Sequence, residues 1–114
     1  MGSREEYWFE EGCWILELSN TAEDPQASIA RARVPFGGTT RWHRLAGTTE
    51  RYLILEGRGR VEVEERAPRE VAAGDVVLIP PSCRQRIANV GEGDLVFLAI
   101  CTPRFQSERY EEVA

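Results

Sequence analysis

The residues able to do chemistry in this chain are few. His43 is the sole histidine among 114 residues, and Glu50 follows it seven places later. A neutral imidazole ligates divalent metals such as Mn, Fe, Ni or Zn, and it carries protons near neutral pH. A carboxylate supplies a hard anionic oxygen, which is costly to bury unless a cation or strong hydrogen bonds compensate it. The pair therefore reads as two metal ligands or as an acid and a base. It reads equally as a hydrogen-bonded core histidine beside a Glu50 ion pair, with Arg41 or His43 as the partner. No serine–histidine–acid triad can be drawn, and no glycine-rich phosphate loop leads into a helix.

These side chains need strands to hold them. Turn-forming clusters recur at short intervals ("SNTAEDP", "PFGG", "AGTT", "EGRG", "AAGD", "PPSC", "NVGEGD"), with runs rich in Val, Ile, Leu, Tyr, Phe and Trp between them. Strands are predicted at 12–19, 28–34, 40–45, 51–55, 59–64, 75–79, 84–89 and 95–102. Side chains alternate along a strand, so Arg41, His43 and Leu45 are expected on one face, and Glu50 and Tyr52 on one face of the next. Trp42 is then expected to face outward. "RVEVEE" alternates and should keep one face wet, whereas "DVVLIP" and "LVFLAIC" are apolar throughout and read as buried on both faces. "EGRG" reads as a hairpin turn in which Gly57 and Gly59 supply positive φ. Helix is nearly absent, with only "SERYEEVA" able to form a turn or two.

Bulk properties narrow the function. The chain is 42% hydrophobic, enough for a core without disulfide staples, and its three cysteines form no CxxC pair, so reduced and mostly buried thiols are expected. A net charge of −5 argues against nucleic acid and against an anionic membrane surface. All fourteen basic residues are arginine, and they are scattered. No run is long and apolar enough to span a bilayer, and the N-terminus lacks the order of a signal peptide, which makes the cytoplasm the expected compartment.

Two spaced motifs go further. Gly37, His43, Leu45, Glu50 and Gly57 are separated by five, one, four and six residues; Gly74, Pro80, Ser82, Gln85 and Asn89 are separated by five, one, two and three. Both sets of gaps resemble the two motifs of the cupin superfamily, over roughly Val34 to Thr102. The resemblance implies an all-β fold, a double-stranded β-helix or jelly-roll barrel, with 1–114 as one domain and a barrel core at approximately 34–102. It also implies a metal inside the barrel, held by three histidines and a glutamate. Here Leu45 and Gln85 stand at two of the histidine positions, and Ser82 replaces a glycine, a change expected to cost little in a turn. The implied ligand set becomes His43, Glu50 and Gln85, with Arg41, Leu45, Tyr52 and Cys83 as candidate ligand-binding residues. Asn89 closes the second motif and is expected to be structural.

Such a site predicts weak binding of a divalent metal (Mn, Fe, Ni or Zn), or of a small oxygenated or carboxylated molecule, with dioxygenase, isomerase, cyclase or lyase chemistry. The alternative is a metal-free module that binds a small ligand without catalysis. A third is a structural partner with an empty barrel. Cys83 reads as a soft fourth ligand, an oxidisable thiol or a plain loop cysteine. The apolar N-terminal segment "EEYWFEEGCWILEL" predicts a homodimer, because exposed edges of this kind invite pairing.

Overall fold

The computed structural model describes residues 5–113. They form eleven strands: β1 (Tyr7–Phe9), β2 (Cys13–Ser19), β3 (Ser28–Val34), β4 (His43–Leu45), β5 (Thr49–Glu56), β6 (Arg58–Val63), β7 (Arg69–Ala72), β8 (Val76–Ile79), β9 (Gln85–Asn89), β10 (Leu95–Thr102) and β11 (Tyr110–Glu112). One sheet has the order β1-β2-β3-β10-β5-β8, and the other β11-β4-β9-β6-β7. Every paired neighbour is antiparallel. This is the expected all-β jelly roll. The inward residues of both sheets, among them Val34, Tyr52, Ile54, Val61, Ile87, Leu95 and Phe97, fill the space between them.

The predicted strands at 28–34 and 95–102 match β3 and β10 in full, and the others match within three residues. β1, β7 and β11 were not anticipated. β1 and β11 are only three residues long, and Arg69–Ala72 carries one apolar branched residue, so neither length nor composition announces them. The tail forms a single 3-10 turn (Ser107–Arg109) and then adds β11 to the edge of β4.

Other expectations change because of where a strand lies in its sheet. β8 is not buried on both faces: it is an edge strand, and Val76 and Leu78 are each more than half exposed. β10 is central, yet its outer side chains Val96, Leu98 and Ile100 are only half-buried. "RVEV" behaves as expected, with Val61 and Val63 buried and Arg60 exposed. Asn89 is structural: its amide donates to the carbonyls of Val34 and Gly93, and its oxygen accepts from the Gly91 N–H.

"EGRG" is not a hairpin turn. β5 and β6 belong to different sheets, and Gly57, at φ +87°, is the corner at which the chain crosses between them. A Cβ there would sit 2.4 Å from the Asp94 carbonyl oxygen. Gly59 is an ordinary strand residue that admits the Leu95 and Ile87 side chains instead. Ser82 costs more than its turn position suggested, because it holds φ +63°. A left-handed backbone costs a non-glycine residue about 1–2 kcal/mol, here offset in part because Ser82 Oγ accepts the Gly47 N–H at 3.1 Å.

Two glycines test this account. Gly74 also has positive φ (+94°), but nothing lies within 4 Å of its virtual Cβ. Gly74→Ala is expected to cost about 1–2 kcal/mol from backbone strain alone. Gly57→Ala adds a collision with main chain and is expected to cost at least twice as much in urea unfolding. Equal losses would contradict the corner geometry.

Candidate functional site

β4 and β9 are neighbours, and their register sets His43 directly opposite Gln85. Glu50 enters from β5, in the facing sheet. The three residues expected as ligands are thus gathered in one buried region, at 2%, 7% and 1% exposure for His43, Glu50 and Gln85.

The hydrogen bonds fix how each is presented. Tyr52 Oη donates to Gln85 Oε1, and Gln85 Nε2 donates to Glu50 Oε1 at 2.6 Å. The Gln85 carbonyl oxygen is therefore held by Tyr52, while its NH₂ braces the carboxyl. A backbone carbonyl only accepts, so the 2.7 Å contact between His43 Nδ1 and Arg41 O places the proton on Nδ1. That leaves Nε2 directed inward, toward Glu11 Oε2 at 3.6 Å.

Glu11 is the residue that sequence reasoning missed. It sits in the turn between β1 and β2, beside Gly12, whose φ of +112° closes the turn. The turn docks on the stretch before β4: Glu11 O accepts the Arg41 N–H at 2.7 Å. A side chain 32 positions before His43 is thereby delivered to its ring. Acidic residues in a turn ordinarily read as solvated, and only the apolar flanks of "WFEEGCW" hinted otherwise. Tyr110 of β11 was missed as well: its ring stacks on His43 at 5.4 Å between centroids, and its buried hydroxyl has no partner among the described residues.

The other expected residues fall differently. Arg41 precedes β4, where strand alternation does not yet apply. It lies exposed and pairs with Glu112 at 2.8 Å on the outside. Leu45 and Tyr52 face inward but pack in the core. Cys83 lies in the loop before β9, half-buried against the core. Trp42 faces outward as expected, with the Arg84 and Arg86 guanidiniums 4.3 and 4.7 Å from its ring centroid. All three cysteines are free.

The cavity at this site is bounded chiefly by the six-stranded sheet. It has a volume of about 60 Å³, and Tyr7, Phe9, Glu11, Glu17, Glu50 and Cys101 are on its wall. Among the described residues no arginine lines it, and His43 is not on its wall. Glu50 is on this wall, and its Oε2 accepts from the Cys101 thiol at 3.8 Å. Burial pushes the Glu50 carboxyl up to about 7; His43 pulls it down in part, and the Glu11 charge adds to the rise. Burial also raises Glu11 to about 7, with the Cys13 thiol partly offsetting.

A divalent metal is the group the motifs imply. The donors suit one loosely. His43 has the tautomer of a ligating imidazole, with its other nitrogen tied to a backbone carbonyl. The 3.6 Å from Nε2 to Glu11 Oε2 suits two bonds of about 2.1 Å to one ion. Yet among the described residues no three His, Cys, Asp or Glu side chains close around one point. His43 and Glu11 are the two side chains that would share an ion, with Glu50, braced by Gln85, as the acid beside them.

An antiparallel barrel of two sheets, with a histidine and paired acids set inside, defines the class as a β-roll protein. The family model of the cupin domain matches residues 30–101, and the chain belongs to this family. It is 35% identical over 107 residues to the uncharacterized protein MJ1618 of Methanocaldococcus jannaschii, a match covering 92% of this chain and 85% of the relative. Among solved structures, a predicted oxalate decarboxylase from Thermotoga maritima is 28% identical with a TM-score of 0.74, covering 89% and 92% of the two chains. The nucleoside dehydratase Pac13 is similar at 18% identity and a TM-score of 0.79, covering 96% and 84%. Bacillus subtilis oxalate decarboxylase OxdC is similar at 22% and 0.78, over 90% of this chain and 28% of its own. At such identities the last two show the shared fold.

The raised carboxyls set a pH dependence. In the unfolded chain these groups lose their protons near 4.5, and in the folded protein near 7. Their full stability is present below 4.5 and is lost as pH rises through 7. Each ionised carboxyl then costs on the order of 3 kcal/mol relative to the protonated form. In chelator-treated protein the melting temperature is expected to fall from pH 5 to pH 8, and Glu50→Gln should flatten that slope. A melting temperature that rises over this interval contradicts the buried acids.

Proposed function

We propose that the barrel is a small-molecule site in which Glu50, assisted by Glu11 and His43, exchanges protons with a small oxygenated ligand. The observation that carries this is a pair of carboxyls on the wall of one cavity, Glu50 buried and Glu11 half-buried, each pushed up to about 7 by burial. Two neighbouring acids near neutrality resist ionising together, so one acts as donor while the other acts as acceptor. Glu50 Oε1 is held by Gln85, which leaves Oε2 as the atom that moves the proton. His43, pinned at Nδ1, directs the Nε2 lone pair toward Glu11, where it accepts a proton from the Glu11 carboxyl. Isomerase or lyase chemistry, which needs a proton removed beside an oxygenated carbon, fits these groups best.

Among the described residues the cavity wall carries no basic side chain, which favours a neutral ligand over a carboxylate. Weak uptake of a divalent cation by His43 and Glu11, beside Glu50, would relax that preference. When bound, such an ion polarises a ligand oxygen as a Lewis acid. We place this activity in the cytoplasm.

Small hydroxy ketones in D₂O test the proton chemistry. Exchange of their α-hydrogens, followed by NMR, is expected to exceed buffer, and to fall about 10²-fold or more in Glu50→Gln. No exchange with any ketone, and no melting shift on adding one, would sink the proposal. For metal, elemental analysis of untagged protein is expected to find Mn, Fe, Ni or Zn below stoichiometry after dialysis, and less still in His43→Ala. Metal retained unchanged by His43→Ala would count against that site.

We further propose a homodimer built on the N-terminal edge. β1 is a free sheet edge among the described residues, and Tyr7 and Trp8 are 44% and 53% exposed on it. An apolar, unpaired edge favours association with a like edge. Light scattering should give twice 12.9 kDa, reduced toward the monomer by Trp8→Glu. A monomer at tens of micromolar protein would refute it.

A further inference from the structure

A second cavity, of about 90 Å³, opens at the seam where the edge strands β7 and β8 leave the two sheets unjoined. Its floor is apolar, formed by the buried Val61, Val63 and Val77, with Leu78 and Ala67 at the rim. Its polar groups come from Arg66 and Arg69.

Those two arginines differ from the others. Thirteen of the fourteen lie among the described residues, Arg4 being outside them. Eleven of the thirteen donate a side-chain hydrogen bond or sit within 4.0 Å of a carboxylate. Arg66 and Arg69 have no such partner among the described residues, although Glu64, Glu65 and Glu70 are close in sequence. Those acids are engaged by Arg84, Arg58 and Arg60. Two guanidiniums without partners among the described residues thus line one apolar floor.

Register gives the orientation. Arg69 lies opposite Val61 across the β6–β7 ladder, and Val71, two residues on, is buried. Cross-strand partners and i, i+2 neighbours share a face. Arg69 is thus on the core-facing side of β7, at the strand's open end. A charge facing inward on an edge strand also discourages strand addition, which is the purely structural account of its presence.

We propose that this cleft binds a short aliphatic carboxylate, its tail on Val61, Val63 and Val77 and its head between Arg66 and Arg69. A guanidinium presents paired N–H donors that match a carboxylate's two oxygens, and two of them leave the head fully bonded. The valine floor takes the hydrocarbon chain out of water. The charge logic is the reverse of the first cavity, whose titratable wall is acidic. The two sites therefore select different ligands, and this proposal does not depend on proton chemistry at Glu50.

The probe is hexanoate, titrated into the full-length, isotope-labelled protein and followed through the Val61 and Val77 methyl resonances. Hexanol keeps the tail without the charge, and acetate keeps the charge without the tail. Saturable shifts with hexanoate are expected, with both controls at least tenfold weaker. Both arginines are exposed, so the Arg66→Ala/Arg69→Ala variant should fold and should lose hexanoate binding at least tenfold. The proposal is overturned if hexanoate and hexanol bind alike, if the variant binds as the parent does, or if the valine methyls do not shift. The last result would leave edge protection as the role of Arg69.

Discussion

The structure turns on a carboxyl held where water is nearly excluded. Glu50 projects from β5 into the space between two sheets, and a buried carboxylate without compensation is among the costliest groups a fold can carry. Compensation comes from a short chain of donors, in which Tyr52 holds Gln85 and Gln85 holds Glu50. Because Gln85 is fixed at both ends, one oxygen of Glu50 is immobilised while the other is left to face the cavity. Site and core are in this sense one object: the side chains that make the acid tolerable also aim it.

The same constraint explains the substitutions within the family's pattern. An imidazole at position 85 would offer a lone pair to a metal, whereas the amide offers hydrogens to a carboxyl. Leu45 removes another lone pair and fills its place with core packing. Gln85 therefore acts on Glu50 as a hydrogen-bond donor. Glu11 completes the change, because it supplies a second carboxyl from a segment outside both motifs. The β1–β2 turn places it through the bond from the Arg41 N–H to the Glu11 carbonyl.

Legibility followed the range of the interaction. Strands with full apolar patterning, such as β3 and β10, were readable because period-two alternation is a local property. The spaced motifs singled out His43 and Gln85, and the register of β4 with β9 sets the two opposite each other. Arg41 misled because alternation was extended two residues past the start of β4. Gly59 misled because "EGRG" matches a hairpin locally, while β5 and β6 part into different sheets. Val76 and Leu78 misled because composition does not report whether a strand lies at an edge. Each failure concerns position within a sheet, which is set by strands distant in the chain.

By itself, then, the amino-acid order determined the jelly roll, the family, and the presence of an imidazole and an acid in one interior. Those follow from local periodicity and from glycine and proline spacing, which act over a few residues. Tertiary structure alone decided that Glu11 would join them, that Gln85 would act as donor, and that the cavity wall would be acidic. The physical reason is that burial and hydrogen-bond direction depend on what the rest of the chain places opposite a side chain. A glutamate in a turn looks solvated until another segment folds over it.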